Sequence, residues 1–136
     1  MVNKLTMVEL SALDIGSTIY SDYIKFIRDL RTDNRALPGF LDQVTSISDS
    51  DQYSYMQYNK NNYFVACFYN LPVGFGGVIE NDIRYAVIPY FQNMGFGTEI
   101  LNYIKQRNPN AKGKIKNTNL SSIKAFEKTK IPYEVI

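Results

Sequence analysis

The sequence predicts a mixed α/β domain built on a central sheet. Three observations carry this expectation. Apolar residues recur at helical spacing early in the chain. A meander of strand-like segments with tight turns fills the middle. Helix and strand signals then alternate to the end.

Lys4 to Glu9 reads as a first strand. From Leu10 to Arg31, Ile19, Tyr23, Phe26, Ile27 and Leu30 share one helical face, with Ser17 or Ser21 as its cap. Pro38-Gly39 interrupts the chain, and Phe40 to Ile47 follows as a short helix. The polar, acidic stretch Ser48 to Asn62 reads as a helix end running into a loop. Tyr63 to Tyr69 is a strand by its aromatic and β-branched content. Asn70-Leu71-Pro72 turns the chain into a second strand, Val73 to Ile79, where Gly74, Gly76 and Gly77 signal a bulge or a close backbone approach. Glu80-Asn81-Asp82 turns it again into Ile83 to Ile88, which Pro89 ends. Thr98 to Arg107 is a helix with Ile100, Leu101 and Ile104 on one face. Lys112 to Lys116 is a short strand, Leu120 to Lys128 a helix, and Ile131 to Ile136 a last strand.

The 136 residues suit one domain, 1–136, and 45% of them are apolar, enough for a real core. The net charge of +2 is too balanced to argue for a nucleic-acid or membrane partner. Cys67 stands alone in an apolar run, so no internal disulfide forms and a reducing cytoplasm is the expected location. No segment has the ~20 apolar residues of a membrane span. Histidine is absent. That removes the commonest general base, the Ser-His and Cys-His pairs and most zinc sites, so no metal is expected and carboxylates, tyrosines, lysines and main-chain amides remain.

Between the third meander strand and the next helix runs Gln92-Asn93-Met94-Gly95-Phe96-Gly97-Thr98. A glycine loop entering a helix suits a phosphate, because first-turn amides point at the ligand and the helix dipole favours negative charge. Gly95 and Gly97 let the backbone approach closely and take positive φ, and Thr98 adds a hydroxyl. No Gly-Lys-Ser/Thr follows, so this is not a P-loop, and a third glycine for a dinucleotide fingerprint is missing.

The wider stretch Val87-x-Pro89-x-x-Gln92-x-x-Gly95-x-Gly97 resembles the acetyl-CoA pyrophosphate loop of the GNAT superfamily of N-acetyltransferases. Downstream, Asn119 to Lys128 is similar to that family's segment after its fifth strand, with Ser122 three residues on and Phe126 seven on from the asparagine. The resemblance implies a GNAT-like α+β fold with a mixed central sheet flanked by helices. It implies acetyl-CoA as co-substrate, transfer of its acetyl group to an amine, and a small molecule or a protein amine as acceptor. Amides of Asn93, Met94, Gly95, Phe96, Gly97 and Thr98, beside Gln92, would hold the pyrophosphate. Main-chain groups of Val87 and Ile88 would pair with the pantetheine arm, Asn119 would hydrogen-bond it, and Phe126 would pack beside it. Lys124 would neutralise phosphate charge, and Lys128 would either join it or belong to a solvated helix face.

The reaction needs a base for the amine. Asp82 stands where some family members carry a catalytic glutamate, and Glu80 would share its face if the strand reached that far. The family's usual tyrosine proton donor is replaced by Phe126, which leaves Tyr133 or Tyr90 to serve. The C-terminal end is also shorter than the family's, and a second copy of the chain is an expected cover for the open edge. Two other readings stay open: a CoA-binding regulatory module without catalysis, and an interaction domain whose glycine loop binds nothing.

Overall fold

The computed structural model describes residues 4–33 and 46–136. Strand β1 (Thr6–Glu9) leads through a 3-10 turn into helix α1 (Thr18–Arg31). The Ser17 hydroxyl accepts the Tyr20 amide at 3.1 Å, so Ser17 rather than Ser21 is the cap. Pro38-Gly39 and most of the expected helix Phe40 to Ile47 lie outside the described residues. Helix α2 (Asp49–Tyr58) is a full helix, not a helix end and loop. Ser48 caps it, Asp49 and Asp51 sit in its positive first turn, and Gln52 and Met56 turn inward. Gln52 Nε2 donates to the Ile24 carbonyl at 2.8 Å and ties α2 to α1.

Three strands follow as a meander: β2 (Tyr63–Phe68), β3 (Leu71–Ile79) and β4 (Asp82–Val87). Both turns are two residues long, Tyr69-Asn70 and Glu80-Asn81, with positive φ at each position. Such turns match the right-handed twist of hairpin strands. The first turn therefore closes before Leu71, and Leu71 and Pro72 belong to β3. The β2–β3 register shifts between Ala66 and Cys67, leaving Val73 as the extra residue. The glycines of β3 mark close approach: a Cβ on Gly76 would lie 2.4 Å from the Phe64 ring.

Helix α3 (Phe96–Arg107) begins two residues before the expected Thr98. Then come β5 (Gly113–Ile115), α4 (Leu120–Thr129) and β6 (Tyr133–Val135). The strands form a four-stranded antiparallel sheet in the order β1-β2-β3-β4 and a parallel β5-β6 pair. Alternation along the strands gives the large sheet two apolar faces. On one, Val65, Cys67 and Phe75 pack with Leu10, Tyr20, Ile24, Ile27 and Met56 from the α1/α2 layer. On the other, Phe64, Ala66, Ile83 and Val87 pack with Phe96, Ile100, Leu101, Ile104 and Phe126 from α3 and α4. No described helix is long and apolar enough to cross a membrane.

Phe126, 2% exposed, is packed against β5 at Gly113. A Cβ on Gly113 would stand 2.4 Å from its ring. Gly113→Ala is expected to destabilise the domain by about 1–3 kcal/mol through overpacking. A thermal melt measures this, and an unchanged midpoint would mean that the ring steps aside freely.

Candidate active site

Strand β4 has two unlike edges. Toward β3 it is laddered along its whole length, with Ala86 opposite Phe75 and Arg84 opposite Gly77. Toward β5 the pairing lasts for one bridge, Asp82 with Lys112. There the Ile83 amide donates to the Lys112 carbonyl at 3.0 Å, and the Lys112 amide to the Asn81 carbonyl at 2.9 Å. Beyond that point β5 pairs with β6 instead, and a gap opens in the sheet.

Main-chain groups of successive antiparallel residues point to alternate edges. The Ile83 amide points toward β5, so the Tyr85 and Val87 amides point the same way, into the gap. Ile88 does not. Its amide donates to the Val73 carbonyl at 2.8 Å, and its carbonyl accepts the Phe91 amide at 2.8 Å. The main-chain amides that face the gap are thus those of Tyr85 and Val87, whereas the Ile88 amide is taken by β3.

At the far end of the gap, Gly95 takes φ 83° and starts α3. The first intrahelical bond runs from the Glu99 amide to the Gly95 carbonyl at 3.1 Å, so the amides of Phe96, Gly97 and Thr98 precede the helical ladder. Positive φ is thus needed at Gly95 but not at Gly97, which is helical. A groove of about 680 Å³ opens here, lined by Gln92, Asn93, Gly95, Gly97 and Thr98 on one wall. Asn119, Ser121, Ser122, Lys124 and Lys128 line the other. The side chains of Met94 and Phe96 stay out of it: Met94 is exposed, and Phe96 is buried against Phe68 and Phe91. Amide donors, a helix N-terminus and two lysines suit a pyrophosphate. Asn119 lines the groove while its side-chain oxygen accepts the Ser122 amide at 3.3 Å as the cap of α4.

A second cavity, about 470 Å³, adjoins the first and shares Tyr85, Asn119 and Ser122 with it. Its lining includes Asp82 and Arg84 of β4, Asp51 and Tyr55 of α2, Arg31 of α1, Lys114 of β5, and Phe126. Phe126 thus lines this second cavity rather than the groove. The two cavities meet at Tyr85, whose phenol shares a 2.6 Å hydrogen bond with the Ser122 hydroxyl. Burial pushes the Tyr85 phenol above its ordinary value, and the Ser122 contact partly opposes this. Tyr85 therefore keeps its proton at neutral pH.

The other expected acid-base residues fare unequally. Asp82 lines the second cavity and holds Arg84, with Nε 3.4 Å from Oδ2. Glu80 lies in the left-handed turn, exposed, so strand alternation stops before it and it does not join Asp82. Tyr133 donates to the Glu127 carboxylate at 2.7 Å and lines neither cavity. That hydrogen bond holds its phenol above the usual range. Tyr90 is 81% exposed and also outside both. Tyr85 carries no role in the sequence-based expectation, and Ser122 enters it only as the small residue three on from Asn119. Strand alternation was the available signal, since it sets Tyr85 between the inward-facing Ile83 and Val87. Among the described residues, no group of three or more His, Cys, Asp or Glu side chains is placed to hold a metal.

No protein-family model matches the sequence, and neither does any curated protein. The three-dimensional structure does find matches. A spermidine N-acetyltransferase from Vibrio cholerae, solved with CoA and spermine, superposes with a TM-score of 0.71 at 15% identity. The match covers 93% of this chain and 79% of that one. RimL, a ribosomal L7/L12 α-N-protein acetyltransferase solved with coenzyme A, gives 0.65 at 13% identity over 94% and 80% of the two chains. The yncA protein of Salmonella typhimurium, solved with its cofactor acetyl-CoA, gives 0.66 at 15% identity over 93% and 78%. The chain therefore has the fold of these enzymes, the GNAT acetyltransferase fold.

Proposed function

We propose that the chain is an N-acetyltransferase that moves an acetyl group from acetyl-CoA directly to a primary amine, in the cytoplasm and without a metal. One observation carries the reading. The unpaired edge of β4 runs between a phosphate-suited groove and a second cavity, and a proton-bearing phenol stands where they meet. Acetyl-CoA supplies an acyl group already activated as a thioester. The Phe96, Gly97 and Thr98 amides with Lys124 and Lys128 hold its phosphates, and the Val87 and Tyr85 amides hold its arm. An amide aimed into the gap also stabilises charge on the acyl oxygen.

Asp82 receives the proton that the amine gives up, directly or through a water. Tyr85 gives its proton to the departing sulfur, taking the part that the sequence left to Tyr133 or Tyr90. Ser122 holds the phenol in position. Acceptors differ among the structural neighbours, a polyamine for one and a ribosomal protein for another, so fold alone selects none.

The test is calorimetric titration of acetyl-CoA, followed by thiol release with a panel of amines. Micromolar binding with amine-dependent thiol release supports the reading. Binding without release under any amine favours the regulatory-module alternative, and absence of binding removes both.

A further inference from the structure

The register of the sheet sets three residues in one row on the α1/α2 face: Tyr63 of β2, Gly77 of β3 and Arg84 of β4. Asp82 lies on the same face of β4, because alternate residues of a strand share a side. Two strand spacings, about 10 Å, separate the backbones of Tyr63 and Arg84. The position between them is bare. A Cβ on Gly77 would lie 2.6 Å from the Tyr63 ring, so the ring lies across the glycine. The buried Tyr63 hydroxyl takes a hydrogen bond from Arg84 and stands 2.7 Å from the hydroxyl of Tyr55 on α2.

The chemistry of the groups fixes the direction of this chain. Arginine donates and never accepts, so Tyr63 accepts from Arg84 and has its own O–H to give to Tyr55. Consistent with that direction, burial and then the Tyr55 hydrogen bond raise the Tyr63 phenol above its ordinary value, and the Arg84 contact partly opposes them.

On its other side Arg84 meets Asp82, with Nε 3.4 Å from Oδ2. The guanidinium is thus held from two sides, by a phenol anchored in the core and by a carboxylate that lines the second cavity. Among the described residues, the Asp82 carboxylate has no other side-chain partner. One long bond to one oxygen leaves Oδ1 for a ligand.

We infer that Tyr63, reaching across Gly77, is a positioning residue that fixes Arg84 and through it sets the Asp82 carboxylate toward the amine. The inference rests on the acetyl-transfer reading, in which Asp82 takes the amine proton, and adds a residue that acts through another. Held by Tyr63, Arg84 keeps to its single bond with Asp82, and the second oxygen remains for the proton. Released, the planar fork is free to close on both oxygens through two parallel bonds and to engage the base.

The experiment is thiol release from acetyl-CoA with spermidine, free amino acids and a peptide bearing a free N-terminus. The fastest of these amines is then followed in wild type, Tyr63→Phe, Arg84→Gln and the double variant. Tyr63→Phe removes one oxygen and keeps the ring contacts with Tyr55 and Phe75. It is expected to lower kcat about tenfold, the worth of one hydrogen bond to a charged group, with the acetyl-CoA dissociation constant unchanged. In the Arg84→Gln background the same substitution is expected to change kcat by no more than about twofold, because the two residues act as one unit. An unchanged kcat in Tyr63→Phe would overturn the inference. So would a loss that persists in full in the Arg84→Gln background, since a phenol that only supports packing does not need the guanidinium. Wild-type behaviour separates the failures. Acetyl-CoA that does not bind, or that releases no thiol with any amine, defeats the acetyl-transfer reading and this inference with it; turnover with independent losses at Tyr63 and Arg84 defeats only the positioning role.

Discussion

Gly97→Glu is expected to eliminate measurable acetyl-CoA binding. Gly97 lies in the first turn of α3, and its Cα faces the groove. A glutamate there would fill space needed by the phosphates and set a carboxylate against them. Bringing two like charges into a partly desolvated groove costs at least about 3 kcal/mol, or about 10²-fold in affinity. Gly97→Ala is the control. Its Cβ would stand 3.6 Å from the Tyr85 ring, an ordinary contact, and alanine is a better helix former than glycine. Calorimetry should therefore show near-normal binding for the alanine variant and none for the glutamate. Equal affinity in both would mean that the pyrophosphate lies elsewhere.

Tyr85→Phe is expected to lower kcat about 10²-fold, the lower end of what a positioned general acid contributes, with the acetyl-CoA dissociation constant little changed. The ring keeps its contact with Phe126, and only the hydroxyl is lost. A purely structural role would act through the Ser122 hydrogen bond, so Ser122→Ala should then be as damaging. In the proposed role Ser122→Ala keeps most of kcat, because the proton donor survives. The pH profile gives a second readout. Burial raises the Tyr85 phenol above its ordinary value near 10. Loss of this donor should therefore not depress wild-type kcat until pH exceeds the usual tyrosine range. An alkaline fall below that range that vanished in Tyr85→Phe would contradict the sign of the shift.

The loop and the meander were legible because their signals are local. Aromatic and β-branched runs mark β2, and glycines before an apolar stripe mark the start of α3. Helix α2 was obscured because its apolar positions are mostly tyrosines, at 53, 55 and 58, which ring the helix instead of striping it. The first turn was misplaced because Tyr69 takes left-handed backbone, which its residue type does not advertise, while the second was found at Glu80-Asn81 and drawn one residue too long. Strand polarity decides which amides reach the gap. The choice between Val87 and Ile88 therefore required the β3–β4 register, a relation between distant residues. The same holds for Tyr133, where only the fold reveals that Glu127 has claimed the hydroxyl.

The groove and the second cavity meet at Tyr85 beside β4, the groove lined from α3 and α4 and the second cavity reaching α1 and α2. On the reading proposed above, neither ligand has to leave before the other arrives, and no covalent relay on the protein is required to keep them apart. Initial velocities measured against both substrates should then give intersecting double-reciprocal lines. Parallel lines would mean that the acyl group rests on a side chain between two half-reactions, a path that two adjoining cavities make unnecessary.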